Sequence, residues 1–160
     1  MGTGEELFEQ LNKLRGSKTI ILGIGNTLKG DDGAGPAVCE RIAGKVCAEV
    51  IDAGTVPENY IQTIIKKAPQ NLVIIDAVDF AALPGKIELF ETEKLNSLVI
   101  STHTLSPRIF IDMIRNQVQV SVFFIGIQPA QVGLGQALSA QISDAVDRLC
   151  NILEVIFPTG

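Results

Sequence analysis

Few residues in this chain can do chemistry, and they gather at one kind of place. Asp31 and Asp32 sit in a glycine-rich loop after an apolar run. Asp52 closes a second such run, and Asp76 and Asp79 stand at the end of a third. The single histidine, His103, lies in the polar stretch Ser101-Thr102-His103-Thr104. In an open α/β sheet, ligands bind outside the carboxyl ends of the strands. Two carboxylates and an imidazole meeting there would bind a divalent metal and leave coordination positions open. The nitrogen donor favours nickel, copper or zinc, and the carboxylates accept harder ions too.

Each of these residues also has a plainer role. Asp31 or Asp32 can cap the helix that follows, and one of the two is expected to do so. An aspartate closing a buried strand, such as Asp76, can simply accept backbone N–H bonds in a turn. A lone histidine is most often a polar loop residue. Cys39 and Cys47, eight apart on an expected helix, read as small buried hydrophobes on one broad apolar face, and Cys150 is read the same way. No serine or cysteine nucleophile has an evident base partner, and one histidine cannot serve both a metal and a triad.

Nucleotide chemistry is excluded by pattern and by charge. Gly23-Ile24-Gly25 follows a strand, but the third glycine of a dinucleotide fingerprint would fall on Leu28. A P-loop enters its helix as Gly-Lys-Ser/Thr, whereas this loop enters as Gly33-Ala34-Gly35-Pro36. Two acidic residues also stand where phosphates would have to sit.

The elements that must position these groups alternate along the chain. Leu7, Leu11 and Leu14 recur at helical spacing in an amphipathic segment over 5–15. Thr19-Ile20-Ile21-Leu22 predicts a strand buried on both faces, and Pro36 suits the first turn of a helix reaching Val46. Residues 48–52 predict a second strand, 57–67 a second helix and 71–76 the central strand. After the turn at Pro84-Gly85, residues 86–91 alternate like an exposed edge strand. Ser106-Pro107 is the grammar of a helix start. Residues 118–126 predict a further buried strand, and 139–156 a long last helix. The order predicts a three-layer α/β/α sandwich. Its twisted, mostly parallel sheet has about five strands, one of them an antiparallel edge strand.

Composition sets the outer bounds. The 160 residues fit one domain spanning 1–160, with 1–16 as an N-terminal helical extension. The chain is 46% hydrophobic and 19% charged, which suits a compact core. A formal net charge of -5 argues against a nucleic-acid partner. No apolar stretch approaches the ~20 residues of a membrane-spanning helix, so no membrane insertion is expected. The first residues carry no readable secretory signal, and three cysteines without a CxxC pair suit a reducing, cytoplasmic setting.

The ordered set of motifs resembles a known family. Its segments are Gly23-Ile24-Gly25-Asn26, Gly30-Asp31-Asp32-Gly33-Ala34-Gly35-Pro36, Asp52-Ala53-Gly54-Thr55 with Pro57-Glu58-Asn59, and Asp76-Ala77. They continue with Pro84-Gly85-Lys86-Ile87, Ser101-Thr102-His103 and Gly126-Ile127-Gln128-Pro129. From Lys18 to the last helix the chain resembles the hydrogenase maturation endopeptidases, most of all the branch serving hydrogenase 3 of the formate-hydrogen-lyase type. Two features depart from the family pattern: Ala53 stands where Asp-Gly-Gly is common, and a helix precedes the first strand.

The resemblance implies an endopeptidase of aspartyl type. Its expected partner is the precursor of a nickel-iron hydrogenase large subunit, from which it removes a C-terminal extension after nickel insertion. Nickel, bound in or presented by that precursor, serves as the recognition signal. Matched residue by residue, Asp32, Asp76 and His103 are the implied nickel-contacting residues, with Asp32 and Asp76 also as catalytic carboxylates, in a chain expected to act as a monomer. The metal can polarise the scissile carbonyl or a water, or it can only dock the substrate while a carboxylate acts as general base. Two other readings stand beside this one: a metal-independent aspartic-type peptidase on the same fold, and a non-enzymatic nickel-binding maturation chaperone.

Overall fold

A computed structural model describes residues 4–97 and 105–160. Its sheet is built on two strands that have no solvent face. Every residue of β1 (Thr19–Ile24) and of β3 (Asn71–Ala77) is buried. That is what continuous runs of β-branched and apolar side chains require, since they need cover on both sides. With β2 (Glu49–Gly54), β4 (Ile87–Phe90) and β5 (Ser121–Ile127), the strands lie in the order β2-β1-β3-β5-β4. The first four are mutually parallel, and β4 closes the edge antiparallel to β5. Ile87–Phe90, inside the 86–91 segment whose alternation predicts an edge strand, is the one antiparallel strand among the described residues.

Alternate side chains feed two cores. Ile21, Val73, Ile75, Ile125 and Ile127 point toward α1 (Gly4–Asn12), α2 (Ala34–Ile42) and α5 (Ala140–Ile156). Ile20, Leu22, Ile24, Leu72, Ile74 and Phe124 point toward α3 (Ile61–Lys67) and α4 (Pro107–Arg115). The result is a three-layer α/β/α sandwich. Leu7, Leu11 and Leu14 are buried with α5 and the sheet, so the N-terminal helix is part of one core layer. Ser106 caps α4, its hydroxyl accepting the Ile109 N–H at 3.3 Å, and Pro107 takes the first helical position. No helix among the described residues is long and apolar enough to cross a membrane.

The second helix is shorter than its periodicity predicts. It ends at Ile42, and Gly44 follows at φ 76°, a left-handed conformation that stops a helix cheaply. Val46 then pairs with Pro158, and the Cys47 N–H donates to the Phe157 carbonyl at 2.9 Å. Cys47 therefore leaves the apolar face expected for it and is exposed, while Cys39 and Cys150 are buried. Burial, helped by the negative charge of Asp52, pushes the Cys39 thiol up to about 12. Burial likewise pushes Cys150 up to about 11. Since thiolates are the nucleophiles, an aromatic disulfide reagent at pH 8 is expected to label the native protein once, at Cys47. Mass spectrometry checks this, and prompt labelling of Cys39 or Cys150 before denaturant is added would contradict the packing.

Candidate active site

The chain leaves β1 to build β2 on one side, then returns to build β3 on the other. Adjacent parallel strands whose connections diverge in this way open a crevice at their carboxyl ends. Gly23 pairs with Ile75 across β1 and β3, so the two strands finish side by side. Asp76 is the next residue on β3 and is fully buried.

The loop after β1 is folded tightly against this edge. Gly25 sits at φ 153°, and a Cβ there would land on the Asp32 carbonyl. Its N–H donates to the Gly54 carbonyl at 2.9 Å, tying the ends of β1 and β2 together. A Cβ on Gly35 would lie 2.6 Å from the Ile75 carbonyl. Only glycine lets the start of α2 press this closely onto the ends of β1 and β3. Between them, the 3₁₀ turn Gly30–Gly33 carries both acids. Asp32 is buried there, and its Oδ2 accepts the Asn26 N–H at 3.0 Å.

Asp31 and Asp32 divide the work differently from the capping expectation. Neither caps the element that follows, since the turn and α2 begin at Lys29 and Gly33 without a side-chain cap. Asp31 instead reaches across the molecule. Its Oδ2 accepts from Ala130 N at 2.9 Å, Gln131 N at 2.9 Å and Ser139 Oγ at 2.9 Å, and its Oδ1 from Ser139 N at 2.7 Å. Ser139 is the N-cap residue of α5, so the carboxylate also meets the positive end of that helix. In return, Asp31 N donates to the Gln131 carbonyl at 2.7 Å.

A cleft of about 240 Å³ opens between these parts, lined by Asp32, Ala77, Asp79, Gln128 and residues 129–132. Gln128 organises its other wall. Its Oε1 accepts from Phe80 N at 2.8 Å and Ala82 N at 3.2 Å, while its Nε2 donates to Asp79 Oδ1 at 3.1 Å. The Ala81 N–H, and then the Gln128 amide, hold the Asp79 carboxyl below its ordinary value. Asp79 thus stays ionised through the neutral range. A larger cavity, about 380 Å³, runs along β4 between α1 and residues 122–123 of β5, and none of these acids lines it.

Asp32, in the turn after β1, and Asp76, near the end of β3, therefore both stand at the carboxyl ends of adjacent strands. His103 lies outside the described residues. Among the described residues, no three His, Cys, Asp or Glu side chains come together as a metal site. Asp52 turns outward and accepts only the Gly54 N–H, at 3.0 Å. Ala53 is accommodated without strain: the left-handed position in that loop is Gly54, at φ 58°. Sequence reasoning passed over Asp31 as an anchor and Gln128 as a hub. The signals for Gln128 were its place in the motif Gly126-Ile127-Gln128-Pro129 and its position directly after a buried strand.

The chain can now be set beside proteins of known kind. The family model for HycI, hydrogenase maturation protease, matches residues 37–156. Over 138 residues the chain is 35% identical to the hydrogenase 3 maturation protease of Escherichia coli strain K12, covering 84% of this chain and 88% of that one. The crystal structure of a NiFe hydrogenase maturation protease, HycI, from Thermococcus kodakarensis KOD1 superposes with a TM-score of 0.83 at 30% identity. That match covers 92% of this chain and 97% of the other. The solution structure of the endopeptidase HycI from Escherichia coli superposes at 0.79 with 35% identity, covering 86% and 90%. On this agreement of sequence and fold, the chain belongs to the hydrogenase maturation proteases and is a peptidase.

Proposed function

We propose that this peptidase removes the C-terminal extension of a nickel-iron hydrogenase large-subunit precursor after nickel has been inserted. It would do so in the cytoplasm, as a monomer, with the inserted nickel as its recognition signal. The observation that carries the reading is the pair of buried carboxylates, Asp32 and Asp76, at the divergence of β1 and β3, one of them opening on a cleft. With His103 as third ligand, they would hold nickel that arrives already bound by the precursor. Three such ligands do not saturate the metal, so the precursor's own donors complete the site and bring the scissile peptide alongside. Nickel would supply Lewis acidity toward a carbonyl or a water.

The protein's own contribution is proton handling and positioning. Asp32 lines the cleft, so it is the better placed carboxylate to take a proton from the attacking water. The water oxygen adds to the scissile carbonyl carbon, and the proton returns to the departing amine nitrogen as the C–N bond breaks. Asp76, buried one residue before the cleft-lining Ala77, orients the metal-bound substrate.

The test is to mix the protein with nickel-loaded and with empty precursor and measure the masses of the products. Cleavage of the loaded form alone is expected. Equal cleavage of both would favour the metal-independent aspartic peptidase, and nickel binding without cleavage would favour a chaperone.

A further inference from the structure

The rim of the cleft is unusually apolar for a water-facing edge. Leu28 is 67% exposed, Leu134 79%, Leu83 83% and Val132 37%. Scattered single hydrophobics are ordinary on a protein surface. These four are not scattered, because all belong to the loops that wall one cleft. The Gly135 N–H donates to the Leu28 carbonyl at 2.8 Å, which places Leu134 beside the Leu28 loop. Val132 lines the cleft with Asp32. Leu83 stands on the opposite wall, in the loop pinned to Gln128 through Phe80, Ala82 and Gly85.

The backbone beneath these side chains is fixed. Asp31 holds residues 130 and 131, Gly30 N donates to the Gln136 carbonyl at 3.0 Å, and Gln136 Oε1 accepts the Gly133 N–H at 2.6 Å. Gln131 Nε2 also donates to the Ala137 carbonyl at 3.2 Å. A loop ordered in this way keeps its leucines in water at a standing cost in apolar exposure, and a partner that covers them meets a preorganised surface.

Cleft size argues for what that partner is. At about 240 Å³ the cleft holds only a few residues of peptide. Protein–protein recognition of standard strength buries roughly 800 Å² on each partner. The difference has to come from surface that adjoins the cleft, and the rim is that surface.

We propose that Leu28, Val132, Leu134 and Leu83 form an apolar docking rim that seats a folded face of the protein substrate next to its scissile segment. This rests on the function proposed above and deepens it: the enzyme reads a folded apolar surface in addition to the metal and the peptide. The substrate face would be apolar and would flank the emerging C-terminal segment.

The experiment compares cleavage of the nickel-loaded large-subunit precursor by wild type, the double variant Leu28→Asp/Leu134→Asp, and Val155→Asp. Val155 is an exposed control residue on α5. The double variant is expected to lose at least tenfold in kcat/KM, carried by KM with kcat kept, while Val155→Asp matches wild type. Leu28→Ser/Leu134→Ser, which adds no charge, should show the same split more weakly and serves if the aspartates disturb folding. A double variant with unchanged thermal stability and kcat/KM within twofold of wild type overturns the docking rim. Wild type failing to cut the loaded precursor overturns the proposed function itself, before any variant is compared. Free enzyme that dimerises at high concentration, with dimers dispersed by Leu134→Asp, would assign the rim to a second copy and also overturn the inference.

Discussion

An Asp76→Asn variant is expected to keep its fold and lose about three orders of magnitude in processing rate. The magnitude follows from positioning: a misplaced reacting group costs roughly 10²-fold, and losing the charge that faces the metal-bound substrate adds to it. Asparagine has nearly the same shape but lacks the charge and one acceptor oxygen. The choice of residue matters because Asp76 is fully buried at the end of β3. Alanine at a fully buried site would instead remove packed atoms and confuse loss of stability with loss of chemistry. Product mass over time gives the rate, and the denaturation midpoint gives the fold. Processing within tenfold of wild type, in a protein of unchanged midpoint, would remove Asp76 from the catalytic set.

Asp31→Ala is expected to lower stability by about 3 kcal/mol and to impair processing as well. Hydrogen bonds to a charged acceptor contribute roughly 1.5–3 kcal/mol each, and orphaned donors lose that and their solvation. Four such bonds converge on Asp31. Ala130 and Gln131 are themselves exposed, however, so water can replace part of what their N–H groups lose. That brings the expected total well below four full increments. For a domain of this length, 3 kcal/mol corresponds to a fall in Tm of roughly 6–12 °C. Activity should drop because the released segment includes residues 129–132, one wall of the cleft. Asp31→Asn retains one acceptor and should fall between. A wild-type urea midpoint for Asp31→Ala would contradict the anchoring role.

What the sequence revealed and what it hid divide along the range of the interactions. The buried runs at 19–24 and 71–77, the edge alternation at 87–90 and the Ser106 cap are set by neighbours within a few residues, and each was legible from local pattern. The early end of α2 was carried by Gly44, which the expectation of a helix reaching Val46 passes over. Cys47 was misplaced as a consequence. Asp31 and Asp32 look equivalent side by side in the chain, because what separates them is a partner about a hundred residues away. The bonds from Gln128 to the 79–82 loop span 46 to 49 residues and leave no periodic trace. Asp52, which shares the position of Asp76 after a strand, is set apart only by its strand: β2 is an edge, and the residue faces water.

The long reach of Asp31 also bears on when this protease can first act. Ser139 follows Asp31 by 108 residues, and Ala130 by 99. A chain made from its N-terminus outward has the acidic turn early and the clasp that fixes the cleft wall late. Contacts this distant in sequence are slow to form, because the loop they close must be brought together first. A chain that stops short of residue 128 lacks one side of the groove and the residues that hold it. The wall formed by residues 129–132 is therefore set only when residues 130, 131 and 139 reach Asp31.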